Sequence, residues 1–82
     1  MKYTGKDNYG NPKQDYVTRL SSMSDEALFE EAKDKIWLSA YANNNPRSDY
    51  HWHADACRDE CKSRNKPDIY QRAYDYNLAQ FS

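Results

Sequence analysis

The chain has 82 residues, 30% of them charged, and a net charge of −1. A chain of this length buries only a small core. A net charge close to zero gives no overall attraction to DNA or to a membrane surface. No apolar run approaches the roughly 18 residues of a membrane-spanning helix, and residues 1–12 lack the apolar segment of a signal peptide. We therefore expect one domain, in the cytoplasm, with no membrane contact. Because 15% of the residues are aromatic, the composition also differs from that of disordered charged tails.

The first part of the chain predicts a lead-in followed by a short helix. Residues 1–11 contain both glycines of the protein, and we expect a flexible lead-in there, with residues 12–82 forming a single helical domain. Asn11 suits a helix N-cap and Pro12 suits the first helical position. A short N-terminal helix is therefore predicted over about residues 12–21.

Three longer helices are predicted from stretches without internal glycine or proline: residues 25–42, 49–64 and 67–81. Ser22 or Ser24 can cap the first and Ser48 the second, while Asn65 is placed to end the second. No segment has the period-two alternation of a strand. The predicted fold class is therefore all-α, a small antiparallel helical bundle of three main helices plus the short N-terminal helix.

One face of each long helix carries the predicted core. In the first helix this face comprises Leu28, Phe29, Ala32, Ile36, Ser39 and Ala40. In the second it is a seam with small residues in its middle: Tyr50, Ala54, Cys57 and Cys61. In the third it is a broad face, wide enough for two neighbouring helices: Ile69, Tyr70, Ala73, Tyr74, Tyr76 and Phe81. Trp52 and Ala56 are placed on another side of the second helix, away from its seam.

The opposite side of the first long helix carries acids over two turns and aromatics over one: Glu26, Glu30, Asp34, Trp37 and Tyr41. One interpretation is a solvated face whose two rings pack against the N-terminal segment. The other is a docking surface, since exposed Trp and Tyr anchor many interfaces and an acidic rim selects a basic partner. We expect these residues to bind a protein or protein complex with a basic surface, such as one that binds nucleic acid. A second copy of the chain is a further candidate.

A second candidate surface is basic and lies towards the end of the second long helix: Arg58, Lys62, Arg64 and Lys66. Such a group can contact nucleic-acid phosphates, which gives the alternative of a nucleic-acid-associated regulatory protein. Basic side chains at a helix end also complement the dipole of their own helix. Because Asp55, Asp59 and Glu60 are interleaved with the basic residues, nucleic-acid binding is the less favoured function.

The histidines and cysteines predict neither a metal site nor a catalytic centre. His53 and Cys57 are one turn apart, but Cys61 lies about 12 Å along the axis from His53 at a rise of about 1.5 Å per residue. No further Cys/His pair completes four ligands, and no orienting group or oxyanion site accompanies His53 and Cys57. We expect reduced, buried thiols, no metal or other cofactor, and no enzymatic activity.

Parts of the sequence resemble a known group of proteins: YHWHADACRDEC at residues 50–61, KPDIY at 66–70 with Ala73-Tyr74, and the helix opening MSDE at 23–26. Over about residues 22–76 this pattern is similar to that of small uncharacterised accessory proteins of tailed bacteriophages, which act in host takeover or against host defences. The resemblance implies a protein that binds a host protein in the host cytoplasm and disables it. An inhibitor of a bacterial defence complex, such as a CRISPR effector, is one such protein. The resemblance implies no catalytic residues.

Overall fold

Four α-helices dominate the computed structural model, which describes residues 3–81. They are α1 (Lys13–Ser21), α2 (Asp25–Tyr41), α3 (Asp49–Ser63) and α4 (Pro67–Phe81). Helices make up 71% of the structure, and no strand occurs within residues 3–81. The predicted all-α fold class is confirmed, and each observed helix boundary lies within one residue of the predicted one.

Serine caps fix the starts of α2 and α3. Ser24 Oγ accepts a hydrogen bond from the backbone N–H of Ala27 at 3.1 Å, and Ser48 Oγ accepts one from Tyr50 at 3.3 Å. Each cap satisfies an N–H group that has no partner within its helix. Of the two caps predicted for α2, Ser24 is therefore the one used. α1 begins one residue later than predicted, because Pro12 has an extended backbone and takes the N-cap position itself.

The turn between α3 and α4 is a Schellman motif. Asn65 has a left-handed backbone with φ of 60°, its N–H donates to the carbonyl of Lys62, and the N–H of Lys66 donates to the carbonyl of Cys61, both at 2.9 Å. These bonds satisfy carbonyl groups that the helix end would otherwise leave unpaired. Asparagine tolerates this conformation better than most residues, so Asn65 ends the helix as predicted.

The core lies where α2 packs against both α3 and α4, and α1 packs against α3. Its largest fully buried side chains are Leu20, Leu28, Cys57 and Cys61. The surrounding buried residues come from all four helices: Tyr16, Ala32, Ile36, Ala56, Ile69 and Ala73. Both cysteines are free thiols within this core, in agreement with their predicted role as packing residues.

Several positions on the predicted apolar faces are exposed instead. Tyr50 is 38% exposed, which corrects its assignment to the α3 seam, and Tyr74 and Tyr76 are 44% and 48% exposed. Ala40 is exposed as well. Tyr50 and Ala40 lie in the first or last turn of their helices, where fewer neighbouring residues are available to cover them. The side chain of Phe81, predicted for the same core, lies outside the described residues.

Three residues of α3 and α4 that were not assigned to the core lie in it or pack against it. Ala56 is 3% exposed, and Trp52 packs against the core cluster, because α1 covers the side of α3 that carries them. Asn77 on α4 is 5% exposed. Its side-chain NH₂ group donates to the backbone carbonyls of Lys33 and Ala73, both at 3.1 Å. A buried polar side chain thereby joins α4 to α2 without an unpaired donor.

Residues 3–11, within the predicted flexible lead-in, form a turn that lies against α3, and we call it the N-terminal turn. Asp7 Oδ1 accepts hydrogen bonds from the backbone N–H groups two and four residues further on, at 2.8 and 2.9 Å. The Tyr3 hydroxyl donates to the Asp59 carboxylate at 2.6 Å. The backbone N–H of Asn8 donates to the carboxylate of the first residue of α3 at 3.1 Å. The turn is thus attached to α3 at two separate places.

Candidate docking surface

The exposed aromatic pair on α2 is the central feature of the candidate site. Trp37 and Tyr41 are one helical turn apart, and their rings stack with centroids 5.4 Å apart and planes only 9° from parallel. Trp37 is 42% exposed and Tyr41 79% exposed, so the predicted exposure of both is confirmed. The N-terminal turn packs its Tyr3 ring against Trp52 instead. Two large rings held together at the surface supply the kind of contact area that anchors many interfaces.

A groove of about 240 Å³ lies beside this pair, between α2 and α4, and we call it the α2–α4 groove. Its lining combines aromatic, acidic and amide side chains with one lysine: Glu30, Lys33, Asp34, Trp37, Tyr76 and Asn77. Lys33 Nζ lies 3.1 Å from Glu30 Oε2 and 4.4 Å from the ring centroid of Tyr76. Asn77 fixes the floor of the groove through its bond to the Lys33 carbonyl. The groove therefore offers both ring faces and carboxylates to a ligand group.

The acidic side chains of α2 differ in how they are engaged. Asp25 contacts Arg64 and Lys66, which lie outside α2. Glu30 and Asp34 pair only with lysines of α2 itself, and each keeps 61% of its side chain exposed. Exposed ion pairs of this kind are weak, at about 0–1 kcal/mol. Residues 26–36 carry four carboxylates and two lysines, so this face retains a negative balance of −2.

The four predicted phosphate-contacting residues do not all remain available. Arg64 and Lys66 both contact the carboxylate of Asp25, and those contacts lower the pKa of Asp25. Arg58 lies 3.6 Å from a carboxylate oxygen of Asp55, whereas Lys62 is exposed. Arg64, with 17% of its side chain exposed, is thus committed to contacts within the protein, whereas the side chains of Arg58 and Lys66 remain about half exposed.

Trp52, unlike Trp37, holds several elements of the fold together. Its ring meets the Tyr16 ring edge-on with centroids 5.5 Å apart and lies 6.1 Å from the Tyr3 ring. Its indole N–H donates to Asp49 Oδ1 at 2.9 Å, and Lys13 Nζ lies 5.2 Å from its centroid. Trp52 therefore holds α1 and the N-terminal turn against α3.

A polar network joins α1, α2 and α3 beneath the surface. The Tyr16 hydroxyl donates to Glu31 Oε2 at 2.7 Å and lies 3.6 Å from Cys57 Sγ, while Lys35 Nζ lies 3.0 Å from Glu31. Burial acts to raise the pKa of Glu31, but the hydrogen bonds from Tyr16 and Lys35 outweigh it and hold that pKa below its usual value. Burial raises the pKa of Cys57 to about 12. A thiol with this pKa is protonated at neutral pH and does not act as a nucleophile.

A second pairing, between Ser39 and His51, was not predicted from the sequence. Ser39 Oγ lies 2.7 Å from His51 Nδ1, and His51 Nε2 lies 2.9 Å from the backbone carbonyl oxygen of Asn45. A carbonyl only accepts, so Nε2 carries a proton, and in the neutral imidazole Nδ1 then accepts from the Ser39 hydroxyl. The contacts join the last turns of α2 to the first turn of α3, and His51 also bonds to the connection between the two helices. Ser39 and His51 are twelve positions apart on different helices, so no local sequence pattern announces their contact.

Within the described part of the chain, no three His, Cys, Asp or Glu side chains converge as ligands for a metal ion. Among the same residues, no helix combines the length and apolar character needed to span a bilayer. No protein-family model, no curated protein and no solved structure matches this chain.

Proposed function

We propose that this chain is a non-enzymatic accessory protein that binds a host protein through the aromatic pair and the acidic residues of α2. The observation that carries the proposal is the stacked and exposed Trp37–Tyr41 pair. A rigid pair of large rings supplies contact area with little further loss of side-chain freedom on binding. The helices that present the pair are proposed to form an antiparallel bundle, the arrangement that short connections favour.

The charge of the same face supports a partner with a basic surface. Glu26, Glu30 and Asp34 are exposed along α2 before the aromatic pair. Carboxylates around an aromatic anchor speed association with a basic protein and disfavour acidic ones. We therefore propose that the partner carries lysine or arginine at its binding surface, as proteins that bind nucleic acids do.

Nucleic-acid binding through Arg58, Lys62, Arg64 and Lys66 ranks second. Contact of Arg64 or Lys66 with phosphate would require their ion pairs with Asp25 to break. A salt titration of binding to a DNA duplex distinguishes the two functions. A steep loss of affinity with rising salt supports this second function, and the absence of binding at low salt removes it.

Affinity purification tests the proposed protein interaction. Tagged wild-type protein, Trp37→Ala and Tyr41→Ala are used to capture proteins from a bacterial lysate, which mass spectrometry then identifies. Tyr9→Ala is the matched control, because Tyr9 is 87% exposed on the N-terminal turn. Truncation of an aromatic anchor costs about 2 kcal/mol, or roughly thirtyfold in affinity. We expect a host protein that wild type and control recover equally and that Trp37→Ala loses. Equal recovery by all variants would reject the aromatic pair as the interface.

The resemblance to phage accessory proteins extends the proposal to a bacterial defence complex, such as a CRISPR effector, in the host cytoplasm. The test is the plaque count of a targeted phage on a CRISPR-immune host that expresses this chain. We expect wild-type protein to restore plaques and Trp37→Ala to restore far fewer. Unchanged plaque counts with the wild-type protein would remove this defence complex as the target and leave the affinity purification to decide the interaction.

A further inference from the structure

We infer that the partner group bound in the α2–α4 groove is an arginine side chain, held against the ring of Trp37 and paired with Asp34 and Glu30. The inference rests on the proposed function, because it names the chemistry that the same surface recognises. Three observations support it: the distribution of cations over the aromatic rings, the position of the carboxylates, and the lysine already present in the groove.

The rings around the groove differ in whether they hold a cation. Lys33 Nζ lies 4.4 Å from the centroid of Tyr76 and 5.2 Å from that of Phe29, and the Arg72 guanidinium carbon lies 5.4 Å from Phe29. Over residues 3–81, no lysine or arginine of this chain lies over the ring of Trp37. Tryptophan is the strongest cation-binding ring among the aromatic residues. Of the two rings that line the groove, the one better suited to a cation is thus the one over which none of the described residues places one.

The carboxylates that line the groove are placed to complete such a site. Glu30 and Asp34 are one turn apart on α2, Trp37 follows Asp34 by three residues, and all three line the same groove. Both acids are 61% exposed, and their partners are neighbouring lysines. Exposed ion pairs are weak, so either acid can exchange its lysine for a better hydrogen-bond donor at little cost.

The groove favours arginine over lysine. The ammonium group of Lys33 already lies between Glu30 and the ring of Tyr76, so any entering cation meets one positive charge there, and a guanidinium spreads its own charge over three nitrogens. A guanidinium is planar and more weakly hydrated, and it can stack on an indole while its N–H fork pairs with a carboxylate. These properties match a ring face that stands next to two acids.

Two peptides of equal length and charge, nona-arginine and nona-lysine, test the inference by NMR titration of ¹⁵N-labelled protein. The two indole N–H signals separate the sites, because the Trp52 indole is already bonded to Asp49. We expect nona-arginine to shift the Trp37 signal, to leave the Trp52 signal in place, and to bind at least about fivefold tighter than nona-lysine. Trp37→Ala and Asp34→Asn should each weaken nona-arginine binding at least threefold. Asp15→Asn, an exposed change on α1, should not.

Equal affinity for the two peptides, or unchanged nona-arginine binding by Trp37→Ala, would overturn the inference. If Trp37→Ala lost its helical circular dichroism, Trp37→Phe would replace it, since phenylalanine keeps a smaller ring and binds cations more weakly. The outcome for the proposed function can be distinguished from the outcome for this inference. A host protein whose capture depends on Trp37, together with equal affinity for the peptides, would retain the interaction and reject arginine as the recognised group.

Discussion

Arg64, at the end of α3, donates a hydrogen bond from Nη1 to Asp25 at the start of α2, across 3.0 Å. The same guanidinium donates through Nε to Glu60 at 2.7 Å and through Nη2 to the backbone carbonyl of Leu20 at 2.8 Å. Only arginine has enough donors in one plane to make all three contacts. One side chain therefore joins the end of α3 to α2 and to α1.

Replacement of Arg64 by methionine should destabilise the fold. The change leaves the Glu60 carboxylate, of which only 13% is exposed, without its cation, and hydrogen bonds to charged groups contribute about 1.5–3 kcal/mol. We expect the free energy of unfolding to fall by about 2 kcal/mol in urea denaturation. Lys62→Met is the matched control, because Lys62 is exposed on the same helix and its loss should change stability by less than about 0.5 kcal/mol. Equal effects of the two changes would refute the role of Arg64.

The two tryptophans should respond in opposite ways to truncation. Trp52→Ala removes contacts with Tyr3 and Tyr16 and the hydrogen bond to Asp49, and we expect a loss of about 2–4 kcal/mol. Trp37→Ala removes a ring that is 42% exposed and should cost less than about 1 kcal/mol. Thermal unfolding followed by circular dichroism measures both. A large loss of stability in Trp37→Ala would make Trp37 a core residue and remove the anchor of the proposed interface.

His53 should make the protein less stable as the pH falls below about 6.5. Its Nδ1 atom is buried and has no hydrogen-bond partner among the described residues, and its ring lies against those of Tyr16 and Trp52 with centroids 4.3 Å away. Burial, with a smaller contribution from the charge of Lys35, lowers the pKa of His53 below 6.5, although nearby carboxylates act in the opposite direction. The folded state therefore favours neutral imidazole.

The unfolded chain takes up this proton near pH 6.5 and the folded protein only at lower pH, so stability is highest above 6.5 and falls below it. His53→Phe should lack this part of the pH dependence while keeping the further loss below about pH 4.5. That later loss arises as Glu31, whose pKa the fold lowers, becomes protonated. Urea denaturation at a series of pH values measures both regions, and identical pH profiles for wild type and His53→Phe would contradict the assignment.

The two thiols should be protected by the fold. Cys57 and Cys61 are fully buried, and burial raises the pKa of both. We expect Ellman's reagent at pH 8 to react at least about a hundredfold more slowly with folded protein than with protein in guanidinium chloride. The helical signal should persist in EDTA and in reductant. Rapid reaction of the native protein, or unfolding by EDTA, would show a role for the thiols other than packing.

The helices and the aromatic pair could be predicted because their signals are local. Ser24 and Ser48 indicate where helices start, and Asn65 indicates where one ends. The helical spacing that places Leu28 and Ile36 in the core also places Trp37 on the surface. Each of these signals depends on residues within a few positions of one another.

The contacts between helices could not be predicted in the same way. Arg64 pairs with Asp25 across 39 positions and Asn77 bonds to Lys33 across 44, so both depend on how the helices are placed. Arg64 and Lys66 looked available for phosphate because their partner, Asp25, lies on α2. The α2–α4 groove likewise exists only once Tyr76 of α4 lies beside Trp37.

The N-terminal turn has a consequence for the order of folding. Its contacts join residues far apart in the chain, 56 positions for Tyr3 with Asp59 and 41 for Asn8 with Asp49. Closing loops of this length costs entropy that local helix formation does not. During synthesis the turn leaves the ribosome well before α3, and it cannot dock until α3 has formed. Trp52 fluorescence should therefore report the docking of this turn, while Trp37 in the same molecule stays 42% exposed.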